Sequence, residues 1–260
     1  MSANGYTKVE LLVTVASSLL EDNKSAILGT GLPLLAGLLA QKTHAPNLLL
    51  IFEAGGVGAQ VPQLPVSVGD SRTFYRANIA SSVHDVMSAG QAGYIDYGFL
   101  GAAQIDAYGN LNTTVIGPHD RPQSRLPGSG GAADIGSFAW KTIVIMSQDK
   151  RRFVPKLDFL TTPGYLDGPG AREKVGLPAE TGPYRVITQL GLYDFDDETK
   201  RMRLIAVHPG VTIDEALAAS GFELLVAAGK DARVATTTPP TEEQRRIMHE
   251  LDPCGLILGR

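Results

Sequence analysis

A strand–helix–strand pattern near the amino terminus constrains the fold most. The apolar segment 25–28 is followed by the tight turn 29–31, and Pro33 stands where the first turn of a helix tolerates proline. After that helix, the continuous apolar run 48–52 is typical of a parallel strand covered on both faces. The pattern predicts a β-α-β unit and therefore a parallel sheet.

The rest of the chain continues this alternation of helices and strands. Periodicity and capping residues predict helices at 9–20 and 82–90 and after Thr212 and Thr241, and strands at 94–101, 141–147, 184–189, 192–195 and 202–207. We find no linker or internal repeat. The expectation is one α/β domain over residues 1–260, with an open, mainly parallel sheet and flanking helices.

Composition excludes several functional classes. The formal net charge of −4 argues against the basic field that nucleic-acid binding needs. Segment 31–40 is too short to span a membrane, and residues 1–6 do not resemble the start of a signal peptide. The single cysteine, Cys254, favours a reducing compartment, and the five histidines lack metal-ligand spacing. We therefore expect a cytoplasmic protein without metal, nucleic-acid or membrane partners.

Glycine is concentrated in one part of the chain. The sequence has 29 glycines, and 14 of them fall between Gly55 and Gly136. Glycine permits sharp turns and close approach of the backbone to another group. Loops in this segment are therefore expected to turn sharply or to bring the backbone close to a substrate.

Glu53 is the first candidate functional residue. It follows the apolar run 48–52 and precedes Ala54-Gly55-Gly56. Ligands of open α/β sheets bind outside the carboxyl ends of the strands, so a carboxylate here would face a cleft. The alternative is that Glu53 only caps a loop or lies exposed at the strand end.

The second candidate is the glycine-rich segment 128–134. Consecutive glycine N–H groups can converge on one anion, as in an oxyanion hole. The spacing matches a dinucleotide motif superficially, but 121–127 is not a strand. A flexible surface loop is the alternative.

The turn Gly29-Thr30-Gly31 offers a dinucleotide site as an alternative. Glu53 lies 22 residues beyond Gly31, near the spacing of a ribose-binding acid. However, Leu34 occupies the place of the third glycine. A non-catalytic nucleotide-binding subunit therefore stays an alternative.

Taken together, these motifs resemble the β subunit of family I CoA-transferases, in their glutaconate branch. The resemblance rests on segments that recur in order over nearly the whole chain: 29–33, 53–55, 65–70, 101–106 with 109–110, 128–134, 150–153, 162–170 and 251–253.

The resemblance implies a CoA-transferase/sugar-isomerase-like fold and a covalent mechanism with Glu53 as the nucleophile. It also implies that Gly31, Gly128, Gly130 and Gly131 bind coenzyme A as the acyl-CoA substrate, with Gly131 contributing to an oxyanion hole. Because carboxylates are ionised at neutral pH, no histidine base is required.

The resemblance further implies a partner. The family's β subunit works beside an α subunit, in a hetero-oligomer of two subunits of each kind or larger, on a small carboxylic acid that can be dicarboxylic. Ala54 departs from the serine common in the glutaconate branch, which concerns the preference among acids. A thioester hydrolase or a decarboxylase on the same scaffold is the alternative, although such relatives typically lack the glutamate.

Overall fold

The computed structural model describes residues 5–227 and 234–259, and the chain divides into two compact units. The first unit comprises Met1–Phe99 with Thr238–Arg260, and the second comprises Leu100–Thr237. We describe each unit by itself. The expectation of one domain over residues 1–260 stays a prediction.

The helices lie where periodicity and caps predict most of them. They are α1 (Lys8–Ser18), α2 (Leu32–Lys42), α3 (Val83–Gln91), α4 (Ala132–Phe138), α5 (Ala171–Lys174), α6 (Ile213–Ala218) and α7 (Glu242–Leu251). The capping boxes expected at Thr212 and Thr241 are both present. The short helix α4, which follows the glycine-rich segment, is not predicted by the sequence.

The strands are short, and several are not predicted by the sequence. They are β1 (Ser25–Ile27), β2 (Leu49–Ile51), β3 (Gly56–Val57), β4 (Ile79–Ala80), β5 (Tyr97–Leu100), β6 (Gln104–Ile105), β7 (Leu111–Asn112), β8 (Val115–Ile116), β9 (Ser124–Arg125), β10 (Lys141–Ile145), β11 (Pro183–Ile187), β12 (Gly191–Phe195), β13 (Met202–Val207), β14 (Leu225–Val226) and β15 (Ala235–Thr236). The two-residue strands β3, β4 and β6–β9 are too short to produce a periodic pattern in the sequence.

The first unit contains the predicted β-α-β element. Its strands are ordered β5-β1-β2-β3-β4, and β1 pairs in parallel with both β2 and β5. Strands β3 and β4 extend this sheet in antiparallel pairs. The central strands β1 and β2 are almost entirely buried, which explains their continuous apolar sequence.

In the second unit the strands are ordered β14-β13-β12-β11-β10, with β15 also beside β13. Strands β10 and β11 are parallel, whereas β12 and β13 form an antiparallel hairpin joined by the polar turn 196–200. Two small ribbons, β6–β7 and β8–β9, precede α4. The open α/β sheet with flanking helices is confirmed.

Candidate active site

Glu53 lies at the tip of a tight turn between β2 and β3. The N–H of Gly55 donates to the carbonyl oxygen of Phe52 at 2.9 Å, and the N–H of Phe52 donates to the carbonyl oxygen of Gly56 at 2.8 Å. Glu53 is therefore the second residue of a four-residue turn, and it is half-buried. The side chain is carried by a rigid hairpin rather than by an irregular loop.

Ser81 holds this turn in place from the side. The carbonyl oxygen of Gly55 accepts a hydrogen bond from the N–H of Ser81 at 3.0 Å and one from its hydroxyl at 2.9 Å. Gly55 has a φ of 120°, and a Cβ there would overlap the Ser81 carbonyl oxygen. A Cβ at Gly56 would overlap the carbonyl oxygen of Thr73 in the same way.

These contacts bear on the two roles expected for glycines in this segment, sharp turning or close approach of the backbone to a substrate. At the positions that a Cβ would take on Gly55 and Gly56, the space is filled by the chain's own backbone at Ser81 and Thr73, which agrees with the first role. Their role is to let the hairpin pack tightly. Gly55 and Gly56 therefore fix the position of Glu53 and do not provide space for a substrate beside it.

Gly31 and Glu53 are brought to the same edge of the sheet. Ile27 of β1 is opposite Ile51 of β2 in a parallel pair, so the chain leaves both strands at their shared carboxyl edge. Gly31 is the N-cap of α2, with a φ of 91°. This is the edge where open α/β sheets bind ligands.

The Glu53 carboxylate has no fixed partner among residues 5–227 and 234–259, since no group there forms a hydrogen bond or an ion pair with it. By contrast, the carboxylate of Asp70 bonds the Arg72 guanidinium, and the carboxylate of Asp252 accepts three backbone N–H groups. Glu53 therefore differs from these structural carboxylates of the first unit.

The glycine-rich segment lies in the second unit and leads into α4. Gly128 and Gly130 have φ values of 92° and 49°, and Gly131 is the N-cap of the helix. Within the described part of the chain, no heavy atom lies within 4 Å of the position that a Cβ would take at Gly128 or Gly130. These glycines border open space.

The segment is hydrogen-bonded rather than loose. Gly128 donates its N–H to the carbonyl oxygen of Thr113 at 2.9 Å, and the Thr113 hydroxyl donates to the Gly128 carbonyl oxygen at 2.8 Å. The N–H of Ala132 donates to the carbonyl oxygen of Ser129 at 2.9 Å. Because the Gly128 N–H is used inside the protein, any binding by Gly128 must use another group, whereas the N–H groups of Gly130 and Gly131 enter no hydrogen bond within the described part of the chain.

Arg172 holds α4 from its other end. Its guanidinium donates to the carbonyl oxygens of Gly136 and Ser137 in the last turn of α4, at 3.1 and 3.3 Å, and it is only 2% exposed. It also donates to the carbonyl oxygen of Gly164 at 2.8 Å and to the Thr181 hydroxyl at 2.8 Å. Burial lowers the pKa of this guanidinium.

The sequence alone does not identify Ser81 as the support of the Glu53 turn or Arg172 as the support of α4. Neither belongs to a motif with a recognisable chemistry, and both act on residues far away in the sequence. A signal existed only for Arg172, which follows the recognised segment 162–170. Ser81 directly precedes the residue that caps α3, but this position does not point to Gly55.

Arg151 and Arg152 belong to segment 150–153, which contributes to the family resemblance. They lie at 3.7 and 3.6 Å from the carboxylate of Asp149, as an exposed charge cluster. In the part of the chain that the structure describes, no group of three or more side chains could hold a metal ion. None of the helices in that part has both the length and the apolar character required to cross a membrane.

Comparisons with known proteins agree with this architecture. A family model described as "Coenzyme A transferase" matches residues 9–219. The chain is 36% identical over 256 residues to the B subunit of glutaconate CoA-transferase from Acidaminococcus fermentans, covering 95% of this chain and 93% of that protein. It is 35% identical over 250 residues to the B subunit of 3-oxoadipate CoA-transferase from Pseudomonas knackmussii, covering 96% and 94%.

The fold is also similar to a solved structure. The crystal structure of glutaconate coenzyme A-transferase from Acidaminococcus fermentans superposes with a TM-score of 0.91 and 32% sequence identity, covering 98% of each chain. The likeness therefore extends over both compact units.

Proposed function

The chain belongs to the coenzyme A transferase family, and from that premise we propose that Glu53 is the nucleophile of a transfer through a covalent glutamyl-CoA thioester. Membership of this family makes the chain a CoA-transferase subunit that acts with a partner subunit. Glu53 as the nucleophile and the covalent intermediate are the proposed part. The proposal is carried by one observation: the carboxylate lies at the carboxyl edge of a parallel sheet, on a rigid turn, without a partner in its own chain, as far as the described residues extend.

The proposed reaction needs no proton transfer. The Glu53 carboxylate attacks the thioester carbonyl carbon of an acyl-CoA, and the carbon–sulfur bond breaks. CoA departs as a thiolate, and a mixed anhydride between the acyl group and Glu53 is formed. The thiolate then attacks the glutamyl carbonyl carbon, and the acyl group departs as a free carboxylate. An acceptor carboxylate reverses these steps and leaves as the new acyl-CoA. Negative charge is conserved at each stage.

Each addition creates an oxyanion that requires donors. We assign this role to the backbone N–H groups of Gly130 and Gly131, because they lie on a hydrogen-bonded segment that borders open space. Removing one donor from an oxyanion hole costs about 10² to 10³-fold in rate in other enzymes. Gly31, at the same sheet edge as Glu53, is proposed to contact the acyl-CoA.

The proposed substrates and partner follow from the relatives. Glutaconate and 3-oxoadipate are the acids in the names of the two similar B subunits, so a small dicarboxylic acid is the first acceptor to test. The partner is the family's A (α) subunit, in a complex of two subunits of each kind or larger. We propose that this complex works in the cytoplasm, which fractionation of the native host would test.

The decisive experiment is to trap the intermediate. The complex with the A subunit is incubated with an acyl-CoA and no acceptor, treated with hydroxylamine or borohydride, and its peptides are mapped by mass spectrometry. Labelling is expected at Glu53 and not in Glu53→Gln. The matched control is Glu243→Gln, an exposed glutamate of α7 whose loss should leave the labelling of Glu53 intact.

The trapping experiment and a separate NAD-binding measurement address the alternatives. An unlabelled complex that still consumes acyl-CoA would indicate a hydrolase or a decarboxylase. Binding of NAD without acyl-CoA turnover would indicate a nucleotide-binding subunit. Similarity to two transferase B subunits does not favour either alternative.

A further inference from the structure

An apolar cavity of about 360 Å³ lies in the first unit, between α3 and the outer strands of the sheet. Its floor is a row of side chains across three strands, Ile51, Val57 and Ile79, which are paired in register. Val86 and Ala89 of α3 form the opposite wall. The size and the apolar lining are those of a small-ligand pocket.

The cavity is joined directly to the turn that carries Glu53. Ile51 lines it and stands two residues before Glu53, which is a Cα separation of at most about 7 Å. Ser81 also lines it and donates the two hydrogen bonds that hold the Gly55 carbonyl oxygen. The turn that carries Glu53 therefore borders one end of this cavity.

The side chains that line the cavity suit the hydrocarbon part of a substrate and not its carboxylate. Nine of the described residues line the cavity, and none of these nine is a lysine, an arginine or a histidine. Asp85 carries the one carboxylate among the nine, and hydrogen bonds from Ser82 lower the pKa of Asp85, so it is negatively charged at neutral pH. The interior suits hydrocarbon and offers nothing to neutralise a carboxylate. The exposed side chains of Tyr94 and Ile79 border it, and the cavity is open, so the far end of a longer acid is free to emerge.

We propose that this cavity receives the hydrocarbon segment of the acyl group during transfer and that Ala89 and Ile79 set its preferred length. The inference rests on the proposed function, because it takes Glu53 as the site of attachment. Burying one methylene group contributes about 0.8 kcal/mol, or roughly fourfold in affinity. An acyl chain with several buried carbons is therefore favoured over an acetyl group.

The test uses the first half-reaction, which needs no acceptor. The complex with the A subunit is mixed with acetyl-, butanoyl- or hexanoyl-CoA, and the second-order rate constant for release of one equivalent of free acid per site is measured. Ala89→Phe, which places a ring in the cavity, is expected to lower the hexanoyl-to-acetyl ratio at least about tenfold. Ser88→Phe is the matched control, because Ser88 is an exposed neighbour on α3 that does not line the cavity, and its ratio should stay unchanged.

A second variant keeps the test decisive if the ring disturbs folding. Ile79→Ala removes apolar contact at an exposed strand position and is expected to lower the same ratio about threefold. An unchanged ratio in both variants would overturn the inference. So would loss of the A subunit from Ala89→Phe but not from Ser88→Phe, since the face would then be a subunit-docking surface.

The two proposals can fail separately. If Glu53 is labelled by acetyl-CoA while the chain-length ratio does not respond to either variant, only the cavity is wrongly assigned. If no acyl-CoA labels Glu53, the proposed function itself is refuted.

Discussion

The Glu53 turn and the 128–131 segment use glycine in opposite ways. At the turn, the space beside Gly55 and Gly56 is filled by the backbone of Ser81 and Thr73. At the segment, Gly128 and Gly130 border open space. The first set of glycines lets the protein pack against itself, and the second leaves room for something else.

The two regions therefore differ in function: the Glu53 turn is rigid, and the 128–131 backbone is accessible. A nucleophile benefits from a support that does not move, because misplacing reacting groups by about 1 Å can cost about 10²-fold in rate. An anion-binding backbone must instead be reachable from solvent. The glycine-rich part of this chain supplies both properties in separate places, so substitutions in the two places should have different consequences.

The largest expected effect lies behind the open segment, at Arg172. Arg172→Met would leave the carbonyl oxygens of Gly136, Ser137 and Gly164 without this donor, and we expect a loss of about 4 kcal/mol in unfolding free energy. Denaturant unfolding of the complex measures it. Arg151→Met, at a side chain that is 92% exposed, is the control and should change stability little. Equal effects of the two changes would show that the buried contacts of Arg172 do not hold α4.

Gly55→Ala should be the next most damaging change, and its damage should be to stability. The added methyl would overlap the Ser81 carbonyl oxygen, and φ at this position is 120°. We expect a loss of about 3 kcal/mol. Thermal unfolding of the complex measures the loss. The comparison is Gly69→Ala in the same unit, where a methyl would meet no atom of the described residues within 4 Å. A stable Gly55→Ala complex would contradict the tight packing of the turn.

Gly130→Ala should damage activity more than stability, which is the opposite of what we expect for Gly55→Ala. Its φ of 49° is a left-handed value that alanine adopts at a cost of about 1 kcal/mol, and no neighbour blocks the methyl. The methyl would, however, enter the space where a substrate is proposed to bind, so we expect kcat/KM to fall about 10²-fold. Steady-state kinetics and thermal unfolding are measured on the same preparation. Full activity would remove the segment from the proposed site.

The sequence predicts the main elements because they carry strong local signals. The apolar run 48–52 and the capping boxes at Thr212 and Thr241 correspond to a strand and two helices in the structure. The placement of Glu53 and Gly31 at one sheet edge follows from the β-α-β pattern alone. Periodicity and caps thus determine where the candidate residues lie along the sheet.

The sequence does not reveal what each glycine or polar residue contacts. The contact of Gly55 with Ser81 spans 26 residues, and that of Arg172 with Gly136 spans 36. Several motifs that carry the family resemblance hold the fold together: Asp106 accepts hydrogen bonds from Tyr108 and Asn110 at the turn that follows it. Such long-range and structural roles require coordinates, because the same residue types also serve binding sites.

Ala54→Ser should have the smallest effect, and it tests how closely the turn itself faces the substrate. Ala54 is the third residue of the turn and is half-buried, so a hydroxyl fits without disturbing the hydrogen bond between Gly55 and Phe52. A new hydrogen bond from this hydroxyl is worth about 1 kcal/mol, which is roughly fivefold. We therefore expect the ratio of kcat/KM between a dicarboxylic and a monocarboxylic acceptor to shift by about that factor, while thermal stability stays constant. If the ratio stays fixed, residue 54 does not contact the acid, and selectivity must come from the cavity lining or from the partner subunit.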